Sequence, residues 1–329
     1  MYKNVYFVWR EYQSRVEFME KDFGFKTFYL PTPNNKILKL IKYAMNIFTM
    51  LTILIKNKPE IIWLQLPPSF LMPIPLLVRG FFKKRAMVIA DCHNGLFSKK
   101  WFSIPFTKTL LNKCDVILVH NEDIFKHAIR LGVNSEKLFI LEDKPNLDVT
   151  INKDIKIHNT EKIVLFPASF NVDEPIEVLL ETCKKMENFK FVITGKYQNK
   201  VDMSRIPKNV TLTGWLPKEE YIKILEKSDI LLGLTLYDGI QLSVANEGVS
   251  YEKPMVLSST DTLKKLFYKG VVFTDNNPDS LKSNIIYAYQ NSSKLKGEIK
   301  KLKIERIKKW NNQANIIKQF INREGLYNE

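Results

Sequence analysis

The twenty residues YDGIQLSVANEGVSYEKPMV, at positions 237–256, decide how this chain is read. An apolar run, DILLGLTL at 229–236, precedes them, and another, MVL at 255–257, closes them. Both runs have the length and composition of buried strands. Between them lie a turn at Asp238-Gly239, a small-residue helix carrying Glu247, and a stop at Lys253-Pro254. A loop and a helix start therefore sit at the carboxyl end of a parallel strand, where open α/β sheets bind ligands. A helix N-terminus offers backbone N–H groups to a phosphate. A carboxylate just inside that helix is suited to grip a ribose diol beside it.

Outward from this stretch the same grammar repeats. In the first half, apolar runs at 5–9, 26–30, 61–65, 86–90, 116–120 and 137–141 alternate with helical segments. In the second, runs at 162–166, 189–193, 210–213 and 271–273 do the same. The spacing predicts helices at 14–23, 175–186, 217–227, 278–290, 294–309 and 310–323, and a proline-interrupted one at 69–82. Continuous apolar strands alternating with helices imply parallel sheets covered on both faces. Residues 145–159 are polar and aperiodic and read as a linker. The expected domains are 1–150 and 160–309, with a closing helix over 310–329.

At 329 residues the chain is long for one core, which agrees with two domains. Its 45% hydrophobic content and mixed charge exclude a disordered chain. Cys92, Cys114 and Cys183 have neither paired nor metal-ligand spacing, which suits a reducing cytoplasm. The opening MYKNVYFVW reads as a strand and not a signal peptide. Residues 37–55 are the greasiest region, but Lys39, Lys42 and Asn46 interrupt them and the apolar positions recur with helical period. An amphipathic helix is expected there, since a span needs roughly 20 nearly uncharged residues.

The formal net charge is +15, with 22 Lys and Arg against 13 Asp and Glu through Asp148. Such a balance suits anionic membranes or phosphorylated substrates. No nucleic-acid-binding signature accompanies it, so no nucleic-acid partner is expected.

Residues 237–256 resemble the donor-site segment of the GT-B-fold, nucleotide-sugar-dependent glycosyltransferases. In that family an acidic residue, a Gly turn and a Glu on a helix are followed, seven residues after the Glu, by the Pro of a strand start. Glu247 and Pro254 keep that spacing. Glu252 stands where the family has Gly, and Asp238 lies nine residues before Glu247 where the family has eight. The likeness continues, in family order, through LFPASFNVDEP at 165–175, FVITG at 191–195, VTLTGWLP at 210–217, Ser228-Asp229, and Trp310 with Ala314 and Phe320. It is weaker over 1–145. Many retaining members carry an Arg and a Lys in the loop after the first strand of this domain. Here that loop is Ser169-Phe-Asn-Val-Asp-Glu174, without a cation, which is closer to dolichol-linked chitobiose β-mannosyltransferases and bacterial polysaccharide transferases.

The resemblance implies an α/β GT-B fold: two Rossmann-like domains facing across a cleft, with a nucleotide-diphosphate sugar held by the second. Glu247 is the ribose ligand it implies, with Asp238 a second acidic candidate. Lys196 beside Gly195 is a candidate for the diphosphate, or a solvated lysine. Backbone N–H groups around Ser243 and Asn246, with Gln241 nearby, are others. Ser169 and Asn171 either bond donor oxygens or cap their own loop.

In the first domain Asp91-Cys-His93-Asn94-Gly95 places two titratable groups and an amide at a strand end. Asp91 and His93 are the candidate catalytic pair, or else a helix cap and a loop-orienting histidine. Arg10, Arg15, Asn94 and Glu122 are candidates for the acceptor side. No Asp-x-Asp pair or other metal constellation appears, and no cofactor is expected beyond the sugar nucleotide as co-substrate.

Three patches mix aromatic or aliphatic residues with lysines: 36–55, 81–85 and 99–108. Either they meet anionic lipid or they are sheet-covering core with a solvated lysine face. The expected activity is sugar transfer to a lipid-linked saccharide at the cytoplasmic membrane face, in surface polysaccharide or capsule assembly. A nucleotide-sugar epimerase and a non-catalytic carbohydrate- or lipid-binding protein of the same fold are the alternatives.

Overall fold

The computed structural model describes residues 1–33, 35–82, 84–146 and 161–323. The linker expected at 145–159 falls almost wholly outside them. The chain divides into two compact units, Met1–Lys144 with Lys308–Glu329, and Pro145–Ile307.

The first unit contains β1 (Asn4–Val8), α1 (Ser14–Phe23), β2 (Lys26–Tyr29), α2 (Lys36–Asn57), β3 (Ile61–Leu66), α3 (Pro73–Val78) and β4 (Met87–Cys92). It continues with α4 (Lys99–Phe102), α5 (Thr107–Lys113), β5 (Val116–Val119), α6 (Glu122–Arg130) and β6 (Leu138–Ile140). Its six parallel strands run in the order β2-β1-β3-β4-β5-β6. β3, β4 and β5 are buried at every position, which is why they read as unbroken apolar runs. On one face α2 to α5 cover Val5, Phe7, Ile62 and Leu64; on the other α1 covers Tyr6, Val8 and Trp63.

The second unit contains β7 (Lys162–Pro167), α7 (Ile176–Lys184), β8 (Phe189–Thr194), β9 (Val210–Gly214), α8 (Lys218–Lys227) and β10 (Ile230–Gly233). Then come α9 (Ser243–Ser250), β11 (Met255–Ser258), α10 (Asp261–Leu266), β12 (Val271–Thr274), α11 (Pro278–Gln290) and α12 (Ser292–Arg323). The sheet order is β12-β11-β10-β7-β8-β9, again all parallel. In each sheet the strand order reverses once, between β1 and β3 and between β7 and β10.

Three elements differ from the sequence expectation. The strand expected at 86–90 extends to Cys92, because Asp91 and Cys92 still pair with Leu118 and Val119 of β5. Residues 69–82 form a short turn, α3 and a second turn, with Pro73 accommodated at the first helical turn of α3. The two helices expected at 294–309 and 310–323 are one helix, α12. No proline interrupts it, and Gly297 alone is a tolerated cost. Its residues through Ile307 belong to the second unit. From Lys308 on they belong to the first, where Trp310, Ala314 and Ile317 join the core beside Met19 and Phe23.

Glu252, at the family's glycine position, has φ +53. α9 ends there in a Schellman arrangement: Lys253 N–H donates to Gly248 O (2.9 Å) and Glu252 N–H to Val249 O (3.4 Å). That stop requires a left-handed residue, and glycine takes the conformation without strain. Here a glutamate is held in it, its carboxylate 3.4 Å from Lys303 Nζ. Comparing two substitutions separates backbone from charge, since both remove the carboxylate. Glu252→Gly is expected to be more stable than Glu252→Ala by about 1 kcal/mol in urea denaturation; equal stabilities would show that the left-handed backbone carries no strain.

Candidate functional site

In the first unit the carboxyl ends of β3, β4 and β5 bring Gln65, Asp91, His93 and His120 together. Register makes this unavoidable, because Gln65 pairs directly with Asp91 across β3 and β4. Asp91 is fully buried. Its Oδ2 accepts from Tyr6 Oη (2.6 Å) and Arg15 Nε (3.1 Å), and its Oδ1 from Arg15 Nη2 (3.1 Å). Arg15 gives its remaining donors to Leu141 O (2.8 Å), Glu142 O (3.0 Å) and Asp143 Oδ1 (2.9 Å). All five guanidinium N–H groups are thereby used. Burial favours the protonated form of Asp91, but Arg15 and then His120 outweigh it and hold the carboxyl well below its usual range.

This corrects two expectations. Asp91 is the inner half of a buried ion pair and presents no atom to a substrate. Arg15, expected at the acceptor, is 4% exposed and spends its charge on Asp91 and Asp143. A lone carboxylate and a lone guanidinium in the sequence give no sign that they answer each other across 76 residues.

His93 is half-buried above this pair. Its ring lies 4.5 Å from that of His120, centroid to centroid, and its Nε2 is 2.8 Å from Gln65 Nε2. As the amide is placed, Gln65 donates, so the His93 proton resides on Nδ1. Burial of the ring, then the neighbouring His120, push its pKa down to about 3, and the imidazole is neutral near pH 7. Asp91, His93 and His120 bring ligand atoms within 4.8 Å of one another. They are a poor metal set, because both Asp91 oxygens already answer Arg15. Asn94 is half-buried at the start of a short turn. Arg10 and Glu122 are exposed, the latter 3.5 Å from Lys126 one turn along α6. Tyr6, Gln65, His120 and Asp143 were not singled out from the sequence. The signal for Gln65 and His120 was present, since both stand at the ends of buried apolar strands.

In the second unit the strand-order reversal lies between β7 and β10. The loop after β7 and the loop after β10 meet there. Leu236 N–H donates to Asp173 O (2.6 Å) and Thr235 Oγ1 to Asp173 Oδ2 (3.2 Å). Glu174 closes the β7 loop on itself, accepting from Ser169 N–H (2.9 Å) and Phe170 N–H (2.6 Å). Lys200 Nζ donates to the carbonyls of Ser169 (3.1 Å) and Phe170 (3.2 Å). A cation therefore does attend this loop, supplied from the segment after β8. Gly195 follows β8 with φ +111, and a Cβ there would stand 1.9 Å from Ala168 O. Ser169, Asn171 and Lys196 are exposed around it.

After β10, Asp238 Oδ1 accepts from Thr262 N–H (3.0 Å) and from Gly239 N–H (2.8 Å). Those backbone N–H groups lower its pKa, and the exposed carboxylate is tied by one oxygen to the first turn of α10. α9 begins at Ser243, which is exposed, and its N-cap residue, Leu242, makes no side-chain cap hydrogen bond. Gln241 is half-buried just before it. Asn246 accepts from Arg306 Nη1 (2.8 Å). Glu247, one turn into α9, is half-buried and accepts a hydrogen bond from Tyr221 Oη on α8; burial raises its pKa. Tyr221 gave no signal in the sequence, since α8 is far from α9 along the chain.

The profile of the family described as "Glycosyl transferases group 1" matches residues 149–320. An uncharacterized glycosyltransferase of Methanocaldococcus jannaschii is 26% identical over 221 residues, covering 60% of this chain and 62% of that protein. A chitobiosyldiphosphodolichol beta-mannosyltransferase of Candida albicans is 23% identical over 260 residues, covering 67% of this chain and 55% of that protein. The chain thus spans less than two thirds of the length of either relative. Among solved structures, HepE of Anabaena in complex with UDP-glucose superposes with a TM-score of 0.69 at 10% identity, covering 99% of this chain and 100% of that one. The two six-stranded parallel sheets are those of the GT-B class.

Two outcomes follow from the first-unit cluster. Asp91→Ala leaves a buried guanidinium short of its main partner, so stability is expected to fall by about 3–5 kcal/mol in urea denaturation. A variant as stable as the parent would show the ion pair to be dispensable. For His93 the unfolded chain takes up a proton near pH 6.5, while the folded site resists until about pH 3. Its contribution is complete above pH 6.5 and is lost progressively as the pH falls toward 3. His93→Gln is expected to flatten that limb of the stability profile, and an unchanged limb would assign it elsewhere.

Proposed function

Because the chain belongs to the group 1 glycosyl transferases, we propose that it moves a hexosyl group from a nucleotide-diphosphate sugar to a saccharide acceptor. One observation carries this reading. At the strand-order reversal of the second unit, a helix start whose N-cap residue, Leu242, supplies no side-chain cap is followed one turn later by a carboxylate positioned by a tyrosine. The first N–H groups of α9 suit a diphosphate. Glu247 suits the two hydroxyls of a ribose, and the Tyr221 bond fixes its rotamer before ligand arrives. Lys196, exposed beside Gly195, is the cation this reading assigns to the departing phosphate charge. The solved neighbour from Anabaena holds UDP-glucose, which favours a uridine nucleotide among the donors.

On the acceptor side, His93 replaces Asp91 as the group that meets substrate. It is neutral at pH 7 and partly exposed, whereas Asp91 sits beneath it and fixes the charge of the site. The Candida relative is named for transfer to a chitobiosyl lipid, and the basic first unit suits a lipid-linked saccharide. The reading places the protein at the cytoplasmic face of the cell membrane, in surface glycan or capsule assembly. It uses neither a metal ion nor a cofactor.

A panel of nucleotide sugars, followed by thermal denaturation, tests the donor assignment. A ligand at a hundred times its dissociation constant stabilises the folded state by about 2.7 kcal/mol. Glu247→Ala is expected to abolish most of that shift for the best ligand. Full retention of the shift would remove Glu247 from the ribose.

A further inference from the structure

The helix α2 has an apolar face that the described residues of the protein leave uncovered. Its inner side is part of the first core: Met50 and Leu54 are fully buried, and Asn46 Nδ2 donates to Leu30 O (2.8 Å). Its outer side, by the 3.6-residue period, is the stripe of Leu38, Ile41, Met45, Phe48 and Ile55, all more than half exposed. A helix that is apolar all round belongs in a core or against lipid. By length and composition Leu38–Asn57 could cross a membrane, yet Tyr43, Ile47, Met50, Ile53 and Leu54 pack it into the core of the sheet.

The stripe is not isolated. Leu77 at the end of α3, Phe81 in the turn after it, and Phe106 before α5 are 70% to 86% exposed. These elements pack on the same face of the sheet as α2, so their outer sides belong to one layer. Phe106 stands at the start of α5 with φ +66. Lysines stand on the same elements, Lys39 and Lys56 on α2 and Lys99 and Lys100 on α4.

The charge of this layer selects among occupants. Residues 24–115 contain 14 Lys and Arg and three carboxylates, Glu60, Asp91 and Asp115. Glu60 pairs with Lys3 at 3.2 Å, Asp91 is consumed by Arg15, and Asp115 pairs with Arg79 at 2.6 Å and Arg85 at 2.9 Å. A second copy of this chain would bring the same excess of positive charge against it. A bilayer of anionic lipid answers both features, with acyl chains for the apolar stripe and headgroups for the lysines.

We propose that the outer face of α2, with Leu77, Phe81 and Phe106, is a docking surface that lies in the plane of an anionic lipid membrane. In giving a membrane-borne acceptor a reason to be reached, it rests on the function proposed above. The docking itself is measured without donor or acceptor.

The test is co-sedimentation of the full chain with vesicles of phosphatidylcholine alone or mixed with phosphatidylglycerol. The wild type is expected to bind the anionic vesicles at least about tenfold more tightly, and to lose that preference as salt is raised. The triple variant Ile41→Ser, Met45→Ser, Phe48→Ser removes exposed side chains only. It should keep the parent's thermal midpoint and bind anionic vesicles at least about tenfold more weakly. A second variant, Phe81→Ser with Phe106→Ser, tests the other part of the layer independently of α2 and should also weaken binding. Wild-type protein that does not bind anionic vesicles, or folded variants that bind as well as the parent, would overturn the proposal. So would a dimer in vesicle-free solution that the triple variant dissociates, since that assigns the face to a second copy. Nucleotide-sugar stabilisation in the same triple variant keeps the two readings apart: it should be unchanged whether or not the vesicles bind.

Discussion

A single buried guanidinium organises the first unit. Arg15 projects from α1 and gives all five of its N–H groups to β4 and to the chain leaving β6. Tyr6 of β1 completes the set through Asp91. Helix, first strand, central strand and chain exit are thereby fixed to one another by a buried pair of charges. Such a pair is costly to bury and costlier to break, so it specifies geometry more than it adds stability. What it specifies is the floor beneath His93. The half-exposed imidazole stands on a neutralised, rigid base and is held from the side by Gln65.

The second unit reaches a comparable end by different means. Its strand-order reversal is braced by acceptors and donors that belong to loops: Asp173 against Thr235 and Leu236, Glu174 against its own loop, and Lys200 against two carbonyls. Glycine is needed at one of these places, where Gly195 approaches Ala168 O. At the end of α9 the same backbone demand is met without glycine. Glu252 adopts the left-handed conformation and Lys303 holds its side chain. The departure from the family pattern at that position is therefore chemical and not conformational.

These features divide the candidate residues by what the fold leaves them to do. Asn246 is committed to holding a neighbouring helix, and Asp91 and Arg15 to each other. Glu247 and His93 are each steadied by a single identified side chain, Tyr221 and Gln65, and remain partly exposed. Steadying by a neighbour with partial exposure is the arrangement expected of a group that meets a ligand. Full enclosure is the arrangement of a group that supports one.

The sequence alone determined the strand–helix alternation, the parallel sheets, and the position of the Glu247 helix after a buried strand. Each depends on local periodicity, which neighbouring residues carry among themselves. It also determined that the first unit is basic and greasy. Only the tertiary structure decided that Asp91 answers Arg15, that Asp238 is tied to the first turn of α10, and that Lys200 attends the β7 loop. Those partners lie between 24 and 76 residues apart or across a strand crossover. Pairing at that range is set by sheet order and register, and single residue types do not encode it. The same holds for α2: the apolar period was legible, but which of its two greasy faces the sheet would cover was settled by packing.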